Sequence, residues 1–289
     1  MFPYIVNTSI GKYPFIISTY SILALAAIVV TGVLYIFTVE KGRKKITAHI
    51  IFLGIILLSS LLGARLMQFR FELWVPRGQD VPLGELIKNT GGNVTGGVLF
   101  AMIAMAIYAK IDPHRIMNWQ TIDTVAMAFP FGHMIGRIGC VSAGCCYGKL
   151  CPSCSFTLTY PENWPIDVFT AEAIPHGPRI ASPLIAAIAL FIIGTILFIL
   201  LKTTKNRGQV SALYFILYGT FRFFQEFTRA DLRAFFGPFS GHQWFSLAEV
   251  LFGCILLVLF FKRRRAGTAG PPFLPFNGKE PTDKDVFEK

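Results

Sequence analysis

The chain has 289 residues, 53% hydrophobic and only 15% charged, with a formal net charge of +11. A soluble domain carries about 25% charged residues, so this composition, with its 28 Phe, argues against a soluble fold and for a bilayer as solvent. Nucleic acid is not the implied partner, because the Lys and Arg cluster directly after apolar runs, which is the positive-inside pattern of membrane proteins.

A spanning helix needs about 20 largely apolar residues. The runs predict seven: Phe15–Phe37, His49–Met67, Gly92–Ala109, Thr121–Ile138, Ala181–Leu201, Val210–Phe227 and Trp244–Phe261. The stretch before them has no basic region of the kind that opens a signal peptide, so the first run is read as a retained helix. Basic clusters follow the first helix (Lys41, Arg43, Lys44, Lys45), the third (Lys110, Arg115), the fifth (Lys202, Lys205, Arg207) and the seventh (Lys262 to Arg265). With seven helices all four fall on one side, the cytoplasm, which puts the N-terminus outside and the C-terminus inside. The expected architecture is all-α and polytopic. Residues 1–265 form one membrane domain, with longer outer segments at Gln68 to Gly91 and Gly148 to Ile180. Residues 266–289, rich in Pro, Gly and charge, read as a disordered cytoplasmic tail.

Ionisable residues inside spanning helices mark function by default. Arg65, Arg137, Arg222 and Glu226 lie in the later halves of helices two, four and six, toward the outer leaflet. Arg222, Glu226 and Arg229, spaced i, i+4, i+7, share one helical face. Helices three and seven open with small or polar segments, Gly91 to Gly97 and Ser240 to Ser246. Arginine's planar fork donates several hydrogen bonds and stays charged. A cluster of arginines at headgroup depth reads as a site for an anionic lipid headgroup, and the plainer reading is snorkelling or a structural pairing with Glu226.

The stretch PFGHMIGRIGCVSAGCCYG (Pro130 to Gly148) resembles the signature of the prolipoprotein diacylglyceryl transferases, P-x-G-x-x-x-G-R-x-G-N-F-x-N-G-E-x-x-G. YGTFRFFQEFTRAD (Tyr218 to Asp231) resembles the same family's YG-x-x-RF-x-x-EF-x-R-x-x-D region, with Asp231 one residue early. Fainter echoes come in the family's order around Tyr20, at Gly63 to Leu66, in the Gly91–Gly97 loop and at Gly241 to Leu247. The resemblance covers residues 13 to 262 and implies a seven-helix bundle in the bacterial inner membrane. It implies transfer of the sn-1,2-diacylglyceryl group of phosphatidylglycerol to the lipobox cysteine of a prolipoprotein, with glycerol phosphate as the other product. The implied partners are phosphatidylglycerol, the prolipoprotein's lipobox region and membrane lipids, with no cofactor and no metal. By resemblance Arg137 and Arg222 hold the lipid phosphate, and Glu226 and Arg229 orient them or gate lipid entry. His133 joins these as a catalytic candidate. Tyr20, Arg65, Gly96, Gly97, Gly139, Gly148 and Gln243 complete the substrate-binding set, Gly148 by allowing close backbone approach.

The chain departs from the family at chemically important places. The family's loop before helix three reads GGMSFHGG, whose His is a catalytic candidate; the residue before Gly96 here is Thr95, which is no base at ordinary pH. The family's Asn after R-x-G is Cys140, its acidic residue is Cys145, and its HPSQLYE segment has become IASPLIA (Ile180 to Ala186). The substrate thiol still needs a base, since an ordinary Cys is mostly protonated at neutral pH. His133, His242 and Glu226 are candidates, although a neighbouring Arg weakens Glu226 as a base. These departures leave open a paralogue that only binds an anionic lipid.

Five of the six Cys cluster as C-x4-C-C-x4-C-x2-C, from Cys140 to Cys154. Disulfides stapling the outer loop, inert thiols, and a metal or redox centre all fit, with Cys151–Cys154 as the C-x-x-C pair. A membrane thiol-redox or metal-binding protein is thus a further alternative. Cys254 reads as a core residue of helix seven.

Overall fold

A computed structural model describes residues 4–10, 13–39, 46–74, 94–112, 116–159, 177–204, 207–230 and 235–265. Most of the expected outer segment 68–91, the clusters at 41–45 and Arg115, Lys205, Asp231 and the tail lie outside these residues.

Seven α-helices occur among the described residues, close to the seven apolar runs: α1 Thr19–Thr38, α2 Ile46–Trp74, α3 Val94–Ile111, α4 Trp119–Ala143, α5 Ser182–Thr203, α6 Gln209–Gln225 and α7 Gly241–Arg265. All but α6 are long and apolar enough to cross a membrane; α6 has 17 residues. The architecture is that of an all-α polytopic membrane protein. Large apolar side chains such as Leu25, Leu58, Ile107, Phe191 and Leu251 are exposed, a surface suited to lipid. Cys254 is also exposed, against the expectation of a core position, because the inward face of α7 there is held by Gly253 against α6.

Three small antiparallel strand pairs were not foreseen. Tyr4–Ile10 (β1) pairs with Tyr13–Ser18 (β2), Thr157–Leu158 (β3) with Arg179–Ile180 (β4), and Phe235–Phe236 (β5) with Phe239–Ser240 (β6). The expected start of helix one at Phe15 therefore lies in β2. The helix opens instead at a Ser18 cap, whose Oγ accepts from Ser21 N at 3.1 Å, as N-cap serines do.

Small residues let the helices approach closely, the usual packing currency in membranes. A Cβ at Gly96 in α3 would collide with the Gly63 carbonyl of α2, and one at Gly132 in α4 would meet Thr31 and the Ala27 carbonyl of α1. At the far end of the bundle Tyr35 Oη and His49 Nδ1 share a 2.7 Å hydrogen bond, joining the end of α1 to the start of α2. Asp123, buried in α4, accepts from the backbone N–H of Gly208 (2.5 Å) and Ser211 (2.8 Å) and from the Ser211 hydroxyl (2.6 Å). That carboxylate ties α4 to the α5–α6 turn, and the sequence reading had not singled it out. The starts of the odd-numbered helices and the ends of the even-numbered ones meet at the opposite end, where the site lies.

Candidate functional site

The helices α4 and α6 run in the same direction and touch through the rings of His133 and Tyr218, whose centroids are 5.6 Å apart. One turn further along each helix stand Arg137 and Arg222, so the two arginines are neighbours because their helices are parallel and in register. Only 8% of Arg137 and 9% of Arg222 is exposed, a depth at which a guanidinium needs partners.

The partners differ. Arg222 Nη1 forms an ion pair with Glu226 Oε2 at 2.7 Å, one turn on. Glu226 Oε1 accepts from the Ser240 hydroxyl at 3.0 Å. Ser240 in turn caps α7: its Oγ accepts from Gln243 N (3.3 Å) while its own N–H donates to Gln243 Oε1 (3.0 Å), the reciprocal capping box of S-x-x-Q. Gln243, expected to bind substrate, thus holds the start of α7 in place. Its buried Nε2 makes no hydrogen bond among the described residues, which leaves two N–H donors for a ligand.

Arg137 donates through Nε to His133 Nε2 at 3.2 Å and points Nη1 at Cys146 Sγ, 3.8 Å away. A guanidinium can only donate, so Nε2 is the unprotonated ring nitrogen and Nδ1 carries the proton. Nδ1 is buried and makes no hydrogen bond among the described residues. In this arrangement His133 offers a donor and has no free basic nitrogen.

Arg229 does not share the helical face of Arg222 and Glu226. The chain leaves α6 at Gln225, tightens into a 3-10 turn over Glu226–Thr228 and is extended at Arg229. The extended segment then lies beside the loop after α4: Lys149 N–H donates to the Thr228 carbonyl (2.9 Å) and Ala230 N–H to the Tyr147 carbonyl (3.3 Å). On its other side the same loop pairs with β4, Gly148 N–H to the Ile180 carbonyl (3.1 Å) and Ile180 N–H to the Lys149 carbonyl (3.0 Å). A Cβ at Gly148 would strike that carbonyl. The close approach expected at Gly148 is thus between protein backbones, and it clamps the loop between α5 and α6.

The same loop gathers three thiols. Helix α4 ends at Gly144, in the left-handed conformation (φ 73°), with Gly144 N–H bonded to the Val141 carbonyl and Cys145 N–H to the Cys140 carbonyl, a Schellman cap. The cap folds Cys145 back over Cys140. Cys146 is also left-handed (φ 61°), which is rare for a residue with a Cβ. The Sγ atoms of Cys140, Cys145 and Cys146 all lie within 4.8 Å of one another. Hydrogen bonding from the Cys140 and Cys145 thiols, with the charges of Arg229 and Arg137, holds the Cys146 thiol well below the usual thiol range against the opposing effect of burial. Cys151 and Cys154 form a disulfide. The C-x-x-C pair is therefore a staple, and the free thiols of this loop are Cys140 and Cys145, at family-motif positions, and their neighbour Cys146.

The remaining candidates are spread around this centre. Tyr20 packs on Gly139, where a Cβ would come within 3.1 Å of its ring. Gly96 and Gly97 serve the α2–α3 contact, Gly97 facing Ser60. Arg65 is exposed on α2, two residues from that contact. His242 is half-buried in the first turn of α7. A cavity of about 900 Å³ runs down the bundle from Tyr20, Gly97 and His133 to Met105, Trp119 and Leu256. Its wall is almost wholly apolar and on α4 includes His133 and Gly136, the latter next to Arg137 in the chain. Sequence reasoning missed Ser240 and Tyr218, ordinary polar residues whose roles depend on which helix faces them.

Comparison with known proteins shows which family the chain is similar to. The prolipoprotein diacylglyceryl transferase family model matches residues 7–259. The phosphatidylglycerol–prolipoprotein diacylglyceryl transferase 2 of Clostridium perfringens is 28% identical over 200 residues, covering 69% of this chain and 73% of that protein. The phosphatidylglycerol–prolipoprotein diacylglyceryl transferase of Clostridium tetani is 26% identical over 246 residues, 80% of this chain and 90% of the relative. That of Cupriavidus metallidurans is 31% identical over 196 residues, 64% and 66% respectively. A match through all seven helices, with both arginine-bearing motifs inside it, shows that this chain belongs to the prolipoprotein diacylglyceryl transferase family.

Proposed function

We propose that this chain transfers the sn-1,2-diacylglyceryl group of phosphatidylglycerol to the lipobox cysteine thiol of prolipoproteins, as a multi-pass protein of the bacterial inner membrane. The observation that carries the reading is the buried pair Arg137 and Arg222, in a bundle that also holds an apolar cavity of about 900 Å³ lined on α4 by His133 and Gly136. The cavity suits acyl chains, and the arginines suit the phosphate. The reaction breaks the bond between a glyceryl carbon and a phosphate oxygen, so cations aimed at the leaving phosphate lower its barrier. Glu226 sets the orientation of Arg222, and Arg229 adds a third positive charge. His133 Nδ1 and Gln243 Nε2 supply further donors.

All seven helices cross the membrane in this reading. Helix α6, at about 26 Å for 17 residues, completes its crossing with the turn Glu226–Thr228. Lys110, Lys202 and Lys262 stand at the ends of α3, α5 and α7, away from the arginine site. By the positive-inside rule the site faces outward, the N-terminus is outside and the C-terminus inside. Residues 1–265 are then one membrane domain and 266–289 a cytoplasmic tail.

The test is to give purified protein in detergent phosphatidylglycerol and a lipobox peptide and to follow the peptide's mass. A gain of one diacylglyceryl group, absent when the peptide's Cys is Ser, is expected. No gain while phosphatidylglycerol still binds would overturn the reading in favour of a lipid-binding paralogue.

A further inference from the structure

Transfer to a thiol needs a thiolate, and the position expected to supply a base, with two of the candidates to replace it, does not supply one. Thr95 stands where the resemblance places a His. His133 has its basic nitrogen occupied by Arg137. Glu226 has one oxygen in the ion pair with Arg222 and the other bonded to Ser240. The site also holds the group of three thiols.

We propose that Cys140, Cys145 and Cys146 form a three-thiolate zinc site whose fourth position takes the lipobox thiol. The inference rests on the transferase reading and deepens it. Zinc in a tetrahedral site bonds thiolate sulfur at about 2.3 Å, which sets the sulfurs roughly 3.8 Å apart. Three Sγ atoms within 4.8 Å of one another need to contract by only about 1 Å to meet that geometry. The backbone already aims them. The Schellman cap returns Cys145 to Cys140, and the left-handed Cys146 turns its side chain back toward both. A residue with a Cβ held in that conformation is the kind of local strain that accompanies functional sites.

The loop is also held. Backbone pairing to β4 on one side and to Thr228 and Ala230 on the other keeps the thiols in place without metal. Cys140 and Cys145 are buried and Cys146 is half-buried, so three protein ligands leave one open side, the arrangement of catalytic rather than structural zinc. Three thiolates give a zinc site a net negative charge, which a fourth thiolate increases. Arg137, 3.8 Å from Cys146, is placed to offset it.

The chemistry balances. On binding zinc, the lipobox thiol releases its proton to water, because a coordinated thiol is deprotonated. The sulfur's electron pair attacks the glyceryl carbon bonded to the phosphate. The C–S bond forms, the C–O bond breaks, and the departing glycerol phosphate keeps the electron pair beside Arg137 and Arg222. The product is a thioether, a weaker zinc ligand than a thiolate, so it leaves and the fourth position reopens. Nothing is oxidised or reduced. This site departs from the metal-free expectation drawn from the family resemblance.

The experiment uses the full chain in detergent. It measures bound zinc, the thiolate-to-metal absorption of the cobalt-substituted protein, and transfer from phosphatidylglycerol to a lipobox peptide before chelation, after it and after zinc is restored. One zinc per chain is expected, lost in Cys145→Ser and Cys146→Ser. The cobalt absorption should rise from the value for three thiolates to that for four when the lipobox peptide is added, and should not rise with its Cys→Ser counterpart. Transfer should fall at least tenfold on chelation and return with zinc. Transfer that persists in metal-free protein would overturn the zinc site while leaving the transferase reading intact. Zinc binding with no change in the cobalt spectrum on adding peptide would overturn the role of the fourth position. Absence of transfer under every condition, with zinc bound and the spectrum responding, would sustain the metal site and refute the transferase reading separately.

Discussion

Arg137 donates to Nε2 of His133, one helical turn behind it, at 3.2 Å. The contact settles two things. It directs the rest of the guanidinium toward the loop after α4, and it fixes the imidazole as neutral with its proton on Nδ1. His133→Gln should therefore leave the shape of the pH–rate profile unchanged. The amide oxygen can still accept from Arg137, so the loss in rate should be less than about tenfold, the size of one neutral hydrogen bond. Disappearance of a titration near neutral pH in this variant would mean that His133 does act as a base.

The two arginines should matter far more. Arg137→Ala and Arg222→Ala should each lower kcat by about 10²–10³-fold, the usual effect of removing a donor aimed at charge that develops in a transition state. Lys at either position should recover only part of that, because it lacks the planar fork. Steady-state transfer to a lipobox peptide reads both effects, and full activity of Arg137→Ala would remove that residue from the phosphate site.

Glu226 is the counter-charge of a buried cation. Glu226→Ala should destabilise the protein by roughly 3–5 kcal/mol, the range for breaking a buried pair by removing one partner. Adding Arg222→Met should restore much of the thermal stability and none of the activity. Thermal unfolding in detergent beside the transfer assay separates the pair's structural part from its chemical one.

Asp123 predicts the opposite split. It accepts three hydrogen bonds at the far end of the bundle, away from the reacting groups. Asp123→Ala should cost at least about 2 kcal/mol of stability, since bonds to a charged acceptor are worth about 1.5–3 kcal/mol each. Activity per folded molecule should not change. Active-site titration with a bound-lipid count gives the folded fraction.

Gly96 tests whether its value lies in packing. Gly96→Ala puts a methyl group into the Gly63 carbonyl of α2 and should destabilise by about 1–3 kcal/mol, as overpacking does. If Gly96 instead served the substrate, KM for phosphatidylglycerol would rise with no change in thermal stability.

Much of this protein could be read from the sequence by itself, because a bilayer imposes simple rules. Apolar length marks the helices, and both ends of α3, α5 and α6 fall within two residues of the limits of their apolar runs, whereas α2 and α4 run several residues past theirs. The order of small, polar and arginine-bearing segments carries the family. Local chemistry was legible wherever it depended on neighbours in the chain, as with Arg222 and Glu226 four residues apart on one helix. Only the tertiary structure could decide what depends on the meeting of separate segments or on the turn angle of a single residue. Arg229 left the helical face because α6 tightens into a 3-10 turn. Glu226 found Ser240 because α7 starts beside the end of α6. The six cysteines were visible as a string of spacings, but spacing says nothing of where Sγ atoms point. A Schellman cap at Gly144 and a left-handed Cys146 bring Cys140, Cys145 and Cys146 together and leave Cys151 and Cys154 to each other. A side chain's direction follows from backbone dihedrals, and those were set here by a loop clamped between two distant segments.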